Sequence, residues 1–266
     1  MKSYCKINLN LNILNKRDDN YHNISSLVLP LEYHDDLYIF ESKEDNYISN
    51  LNIENNLIFK TIKLIKDKYN INKKHTIILN KKIPLGAGLG GGSSNSACVI
   101  NYFNNYYNLN MTNLDKINIA KNIGSDVSLF LFNKPCIIKD KGDNIEFINF
   151  NDKYYVLLIY PNINIETKKV FENNKKYNKD YSYLLLNNFN DKYFINDLEE
   201  SLYNLYPNLK ELKNKIENKI NNKIYLTGSG STFFIINKNI DYLKNCQDLL
   251  INEKKLNLIL TNTLLS

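Results

Sequence analysis

The chain contains no tryptophan and, across 266 residues, only three histidines, five prolines and nine glycines. Three scattered histidines (His22, His34, His75) discourage a histidine-rich metal centre. Four cysteines, Cys5, Cys98, Cys136 and Cys246, stand far apart and lack the paired spacing of a zinc site. Three of them lie in apolar runs, so they read as buried free thiols of a reducing compartment. No apolar run approaches the ~20 residues needed to cross a bilayer, and residue 4 already enters a strand pattern with no apolar leader region before it. A soluble, cytoplasmic protein with no membrane partner is the expectation. Dense basic blocks interleaved with aromatics are missing too. The net charge of +6 and pI near 8.8 therefore suit a small anionic partner better than nucleic acid. Asn, Lys, Ile and Tyr are abundant, a bias of AT-rich codons, so asparagine and lysine counts are poor guides to function.

The few glycines are unevenly placed. Five of the nine fall within Lys81–Ala97, in the run Pro84-Leu85-Gly86-Ala87-Gly88-Leu89-Gly90-Gly91-Gly92-Ser93-Ser94. An apolar strand (Thr76–Leu79) precedes this run, and a helical pattern (Ala97, Val99, Ile100, Phe103, Tyr107) follows to about Asn108. A strand, a glycine loop and a helix start together present backbone N–H groups and a helix dipole to an anion. The Walker loop is excluded, because no lysine lies between Gly86 and Ala97. Gly86, Gly88 and Gly91 match a dinucleotide G-x-G-x-x-G, but the helix is followed by a second helix, which is the wrong context. A polyphosphate is the anion the loop suits.

Around it the chain reads as alternating strands and helices. Cys5, Ile7, Leu9, Leu11 and Ile13 alternate with Lys6, Asn8, Asn10 and Asn12, predicting one half-buried strand over 4–13 with its polar face towards solvent or a cleft. Strands are expected at 27–31, 35–40 and 47–53, and a helix over 57–69 begun by Asn55 or Asn56. Thr112 and Asp115 form a capping box that opens a helix ending at Gly124. Asp126 follows, and locally it reads as an N-cap. A hairpin turns at Lys141-Gly142-Asp143, and the apolar run Tyr154–Tyr160 is a buried strand that opens a second domain. Residues 173–194 give no readable pattern. A helix is expected over 209–220, a second glycine turn at Gly228–Ser231, a helix at 239–251 and a strand at 256–264.

The loop from Pro84 to Ala97 resembles the phosphate-binding motif of the GHMP kinases. Three more stretches agree in order: Lys6-Ile7-Asn8 with Asp19–His22, Ile123–Val127, and Leu226–Ser231. The resemblance runs from residue 4 to about 236 and implies a two-domain α+β kinase, with an ATP-binding domain over 1–152, a second domain over 153–266 and the active site in the cleft between them. It implies phosphoryl transfer from ATP, with Mg2+, to the 2-hydroxyl of a cytidine-diphosphate-linked methylerythritol, a step towards isoprenoid precursors.

Asp126 would be the base, and Lys6 would orient the hydroxyl and offset charge on the moving phosphoryl group. Pro84 to Ser94 and Asn56 would hold ATP. Asn8, Tyr21, His22, Thr167, Phe171, Gly228 and Ser229 would hold the substrate, with Tyr21 and Phe171 sandwiching the cytosine. No metal ligand can be placed. Ser96 departs from the family's usual alanine, and Glu166 and Lys168 from its usual prolines. The implied assembly is a monomer or weak homodimer. Rival readings are a homoserine- or mevalonate-type kinase and a non-catalytic ligand-binding protein of the same fold.

Overall fold

The computed structural model describes residues 1–264. In chain order, β1 (Lys2–Asn8) and β2 (Asn12–Lys16) lead into the long β3 (His22–Ser42) and the short β4 (Asn46–Ser49). Then come α1 (Leu57–Tyr69), β5 (Lys74–Asn80), α2 (Gly91–Tyr106), α3 (Asn113–Lys121) and α4 (Val127–Phe130). The hairpin β6 (Cys136–Asp140) and β7 (Asn144–Phe147) precedes β8 (Tyr155–Tyr160). Four α-helices follow, with a 3-10 turn at Asp191–Tyr193 between the second and third: α5 (Thr167–Glu172), α6 (Ser182–Asn187), α7 (Glu199–Leu205) and α8 (Pro207–Ile220). The described chain closes with β9 (Tyr225–Leu226), β10 (Phe233–Asn237), α9 (Ile240–Leu250) and β11 (Asn257–Asn262).

By internal packing the chain forms two compact units that interleave along the sequence. The first comprises Met1–Cys5, Tyr33–Ile83 and Gly90–Asn133. In it the second half of β3 pairs antiparallel with β5, from Asp36 opposite Asn80 to Ser42 opposite Lys74, and β4 adds in parallel. Helix α1 forms where expected: Asn56 caps it by accepting from the Ile58 N–H at 3.0 Å, and the Ile58 and Ile65 side chains are wholly buried. Val99, Ile100 and Phe103 on α2 are likewise wholly buried. The predicted capping box of α3 is present, with Thr112 and Asp115 bonded reciprocally.

The second unit holds Lys6–Glu32, Pro84–Leu89 and the chain from Lys134 onward. Here β3 pairs with β2 and, from Ile24 to Val28, with β6. A separate antiparallel sheet has the order β11-β8-β10-β9. β8 lies between β10 and β11 and helix α9 packs on it, so Val156, Leu157, Leu158 and Ile159 are all fully buried. An inner strand covered in this way needs no polar face, hence its unbroken apolar run.

Two expectations change. The strands predicted at 27–31 and 35–40 are one strand, β3, because Pro30 is accommodated inside it: the Pro30 carbonyl accepts from the Leu264 N–H at 2.9 Å, and proline's missing N–H costs no ladder bond there. The single strand over 4–13 is instead two, β1 and β2, interrupted at Leu9–Leu11, where the Leu9 and Leu11 N–H groups bond to Leu27 and Ile195 carbonyls.

Candidate active site

Lys6 lies near the end of β1 and is 5% exposed. Its alternation with apolar neighbours predicts an outward face, yet Asn8, Asn10 and Asn12 are buried as well. The polar face is covered because Lys6, Asn8 and Asn10 find hydrogen-bond partners there, which is what a buried polar group requires. The Lys6 ammonium donates to Asn8 Oδ1 at 2.5 Å and to the Gly88 carbonyl at 2.7 Å. Asn8 Nδ2 donates to Ser26 Oγ at 2.8 Å, and Ser26 Oγ donates to the Asn10 carbonyl at 2.5 Å. Asn10 Nδ2 passes on to Asn12 Oδ1 at 2.6 Å and Ser182 Oγ at 3.1 Å. The Asn8 N–H donates to Thr227 Oγ1 at 2.8 Å, tying this strand to the second glycine turn.

The two glycine segments meet at Lys6. Gly88 has a φ of +75°, and a Cβ there would stand 2.7 Å from the Thr227 carbonyl and 2.9 Å from that of Gly230. A Cβ on Gly228 would lie 3.0 Å from the Gly88 carbonyl and 3.3 Å from Lys6 Nζ. Only bare backbone allows this approach. Asn196, which local sequence did not single out, holds the turn from below, donating to the Leu226 and Gly228 carbonyls at 3.1 and 2.8 Å. Tyr160 and Asn164 support the first segment: the Tyr160 hydroxyl is 3.3 Å from the Leu85 carbonyl, and a Cβ on Gly86 would stand 3.1 Å from Asn164 Oδ1.

The predicted substrate residues gather in part. Thr167, at the first turn of α5, hydrogen-bonds Ser229 Oγ at 2.8 Å. The His22 ring lies 5.9 Å from that of Phe171 and 6.4 Å from that of Tyr177. Tyr21 does not join them. It is 62% exposed, with the Lys141 ammonium 5.3 Å from its ring centroid. Tyr177 lies in the stretch without a readable pattern and had no sequence signal. Burial, with some help from the Lys16 charge, lowers the His22 pKa below the ordinary value, which favours the neutral imidazole that can both donate and accept a hydrogen bond.

In the first unit, α2 begins at Gly91, earlier than the apolar pattern indicates, so Gly92, Ser93 and Ser94 form its first turn. Gly90 at the N-cap has left-handed backbone and provides no side-chain cap, and the first N–H groups of a helix have no acceptor within it. Ser94 is turned inward, accepting from Ser3 Oγ at 2.8 Å, while Ser93 is half-buried. Asn56 spends its side chain on capping α1 and on the Tyr47 hydroxyl at 2.8 Å. Asp126 occupies the N-cap of α4 without capping it. Its carboxylate is half-buried, with the Ser125 hydroxyl 3.5 Å away. Among the described residues no group of three or more His, Cys, Asp or Glu side chains could hold a metal, and no helix is long and apolar enough to cross a membrane.

Residues 56–134 match the family model of the GHMP kinases N terminal domain. Two solved structures share the fold over nearly the whole chain. A 4-(cytidine 5'-diphospho)-2C-methyl-D-erythritol kinase superposes with a TM-score of 0.85 at 22% identity, covering 99% of this chain and 98% of its own. A homoserine kinase from Cytophaga hutchinsonii gives 0.69 at 14%, covering 100% and 96%. Fold and glycine loop together are those of the two-domain α+β GHMP kinases. The 4-diphosphocytidyl-2-C-methyl-D-erythritol kinase of Thermodesulfovibrio yellowstonii is 34% identical over 260 residues, 91% of each chain. That of Francisella philomiragia is 34% identical over 91% of this chain and 89% of its own. The chain belongs to the 4-diphosphocytidyl-2-C-methyl-D-erythritol kinase family.

Proposed function

We propose that this chain is an ATP-dependent kinase that transfers the γ-phosphate to the 2-hydroxyl of 4-diphosphocytidyl-2-C-methyl-D-erythritol, in non-mevalonate isoprenoid precursor synthesis. The observation that carries the reading is the 34% identity to kinases of that name over 91% of the chain. The buried Lys6 ammonium beside Gly88 and Gly228 supports it.

Phosphoryl transfer asks the protein mainly for positioning and charge stabilisation. In this reading Lys6 orients the hydroxyl and offsets charge on the phosphoryl group, and Asp126 accepts the proton as the oxygen attacks. Its carboxylate is available, since the helix behind it takes no cap from it. The backbone of Gly86–Ser93 receives the phosphates, with Pro84, Leu85 and Asn56 on the nucleoside side and Ser94 anchoring the helix. Phe171 and His22 receive the cytosine, Tyr21 closes over it, and Asn8, Thr167, Gly228 and Ser229 line the remainder. Magnesium arrives with ATP. Phosphate oxygens, water and at most one or two protein donors would hold it. We assign the ATP-binding domain to 1–152 and the second domain to 153–266, a division by chain order across which the packed units interleave, and the protein as a cytoplasmic monomer or weak homodimer.

ADP release with ATP, magnesium and the cytidine substrate, beside a cytidine-free alcohol, tests the reading. Turnover with the cytidine compound alone is expected. Turnover with the alcohol alone would assign a homoserine- or mevalonate-type kinase, and turnover with neither would retire the catalytic reading.

A further inference from the structure

A second buried lysine has no part in the chemistry above. Lys81 directly follows β5 and is 4% exposed. Its ammonium lies 2.7 Å from Asp35 Oδ2 and donates to the Ile83 carbonyl at 2.6 Å. Asp35, on β3, is completely buried, and both its oxygens are fully used. Oδ1 accepts from the backbone N–H groups of Lys82 at 2.7 Å and Ile83 at 2.8 Å. Oδ2 accepts from Asn95 Nδ2 at 3.0 Å as well as from Lys81. Asn95 also donates to Ser3 Oγ at 2.8 Å, and Ser3 donates to Ser94 Oγ at 2.8 Å.

These bonds join two places that the glycine loop separates in sequence. Residues 81–83 are where the chain leaves β5 for the loop, and residues 91–95 are where it re-enters regular structure as α2. One carboxylate and one ammonium reach both. A Cβ on Gly91 would stand 2.7 Å from Lys81 Nζ and 2.9 Å from Ile83 Cγ2. Gly91 is therefore required by the lysine packed behind it as well as by any phosphate in front. Apolar packing could fill the same space, but it is not directional. Six hydrogen bonds of fixed direction set both distance and rotation. Asp35 also offsets a cation that would otherwise lie unpaired near the positive end of a helix.

We propose that Asp35 and Lys81 are positioning residues of the nucleotide site: their ion pair fixes the end of β5 against the first turn of α2, and so places the backbone donors that receive the ATP phosphates. This rests on the kinase reading.

The test uses the full chain and two probes, ATP and CDP, with Kd measured by calorimetry. In Lys81→Met the Kd for ATP should rise about tenfold or more, since about tenfold is the affinity carried by a single well-placed hydrogen bond. The Kd for CDP should stay within about twofold. Equal weakening of both ligands, or no change for ATP, would overturn the proposal. Hydrogen exchange on the unmodified protein gives a second readout that needs no variant. Without ligand, the Lys82 and Ile83 amides should already be protected, while those of Gly86–Ser93 should gain protection on adding ATP. Protection of Lys82 and Ile83 that appears only with ATP would show that no prebuilt clasp exists. If the unmodified chain binds CDP but no ATP, the kinase reading falls and takes this one with it.

Discussion

The two buried lysines make opposite use of burial. Lys81 meets a carboxylate in its own unit, and the pair acts as a bolt whose net charge is close to nil. Lys6 is aimed by two neutral oxygens, Asn8 Oδ1 and the Gly88 carbonyl, whose dipoles direct the ammonium. Burial pulls the Lys81 pKa down, while the Asp35 charge and hydrogen bond pull it back up. A charge that must hold a scaffold is best neutralised close by, because a buried carboxylate left alone is expensive. A charge that must meet a ligand is better held by dipoles. Sequence composition hides this difference, since both residues are lysines on or beside strands.

The contrast can be broken at either lysine. The largest effects on turnover are expected for Lys6→Met and Asp126→Asn, losses on the order of 10²–10⁴ in kcat, with ATP still bound. For Lys6→Met the stability change should be smaller, about 2 kcal/mol for the two acceptors, Asn8 Oδ1 and the Gly88 carbonyl, left unmet. Near-normal kcat in either variant would remove that residue from the chemistry. Lys81→Met should behave the other way, losing on the order of 3–5 kcal/mol of folding stability in denaturant titrations because Asp35 is stranded. A loss as small as that of Lys6→Met would erase the distinction.

Ser26→Ala sharpens the comparison. The Ser26 hydroxyl takes one hydrogen of the Asn8 amide and so keeps Asn8 Oδ1 turned towards Lys6. Without it the amide can turn over and present Nδ2 to a cation. We expect kcat to fall about tenfold, a change of ~1.4 kcal/mol, with KM for ATP unchanged. A fall in both by the same factor would indicate a general loosening. Tyr21→Ala should weaken binding of the cytidine substrate by about 1–3 kcal/mol, the worth of one stacked ring, and leave ATP binding alone. Equal weakening of both would move the cytosine site elsewhere.

The smallest effect concerns pH. Because the His22 pKa is lowered in the folded chain, the unfolded chain takes up the proton first as pH falls through about 6.5. Its contribution to stability is thus present above that pH and lost below it. The melting temperature should drop on acidification from pH 7, and drop less in His22→Gln. An identical pH dependence in the two proteins would show that His22 does not contribute.

Much of this was legible from local pattern. The limits of α1 and its Asn56 cap, the Thr112–Asp115 box, the hairpin at Gly142 and the glycine loop all depend on neighbours a few residues apart. What escaped depends on distant partners. Asn8 and Asn10 look like part of a solvated face until Ser26 and Ser182 arrive to satisfy them. Asp35 looked like one more acidic strand residue, and nothing local pairs it with Lys81 or Asn95, 46 and 60 positions on. Helices α6 and α7 are six and seven residues long, too short for a 3.6-residue period to show. Tyr177 and Asn196 lie in or beside that same unreadable stretch and acquire their neighbours, His22 and the Gly228 turn, only through the fold.

The interleaving of the two units also bears on how this protein can be taken apart. Each is assembled from three separate stretches, and β3 begins in one and ends in the other. No single cut in the gene can therefore separate one unit from the other. A cut after Asn133 keeps every stretch of the first unit but takes Lys6–Glu32 and Pro84–Leu89 with it, and leaves the rest of the second unit without the strand carrying Lys6. Isolated halves should be insoluble or unfolded, whereas two halves made together in one cell have every strand they need and could assemble by complementation.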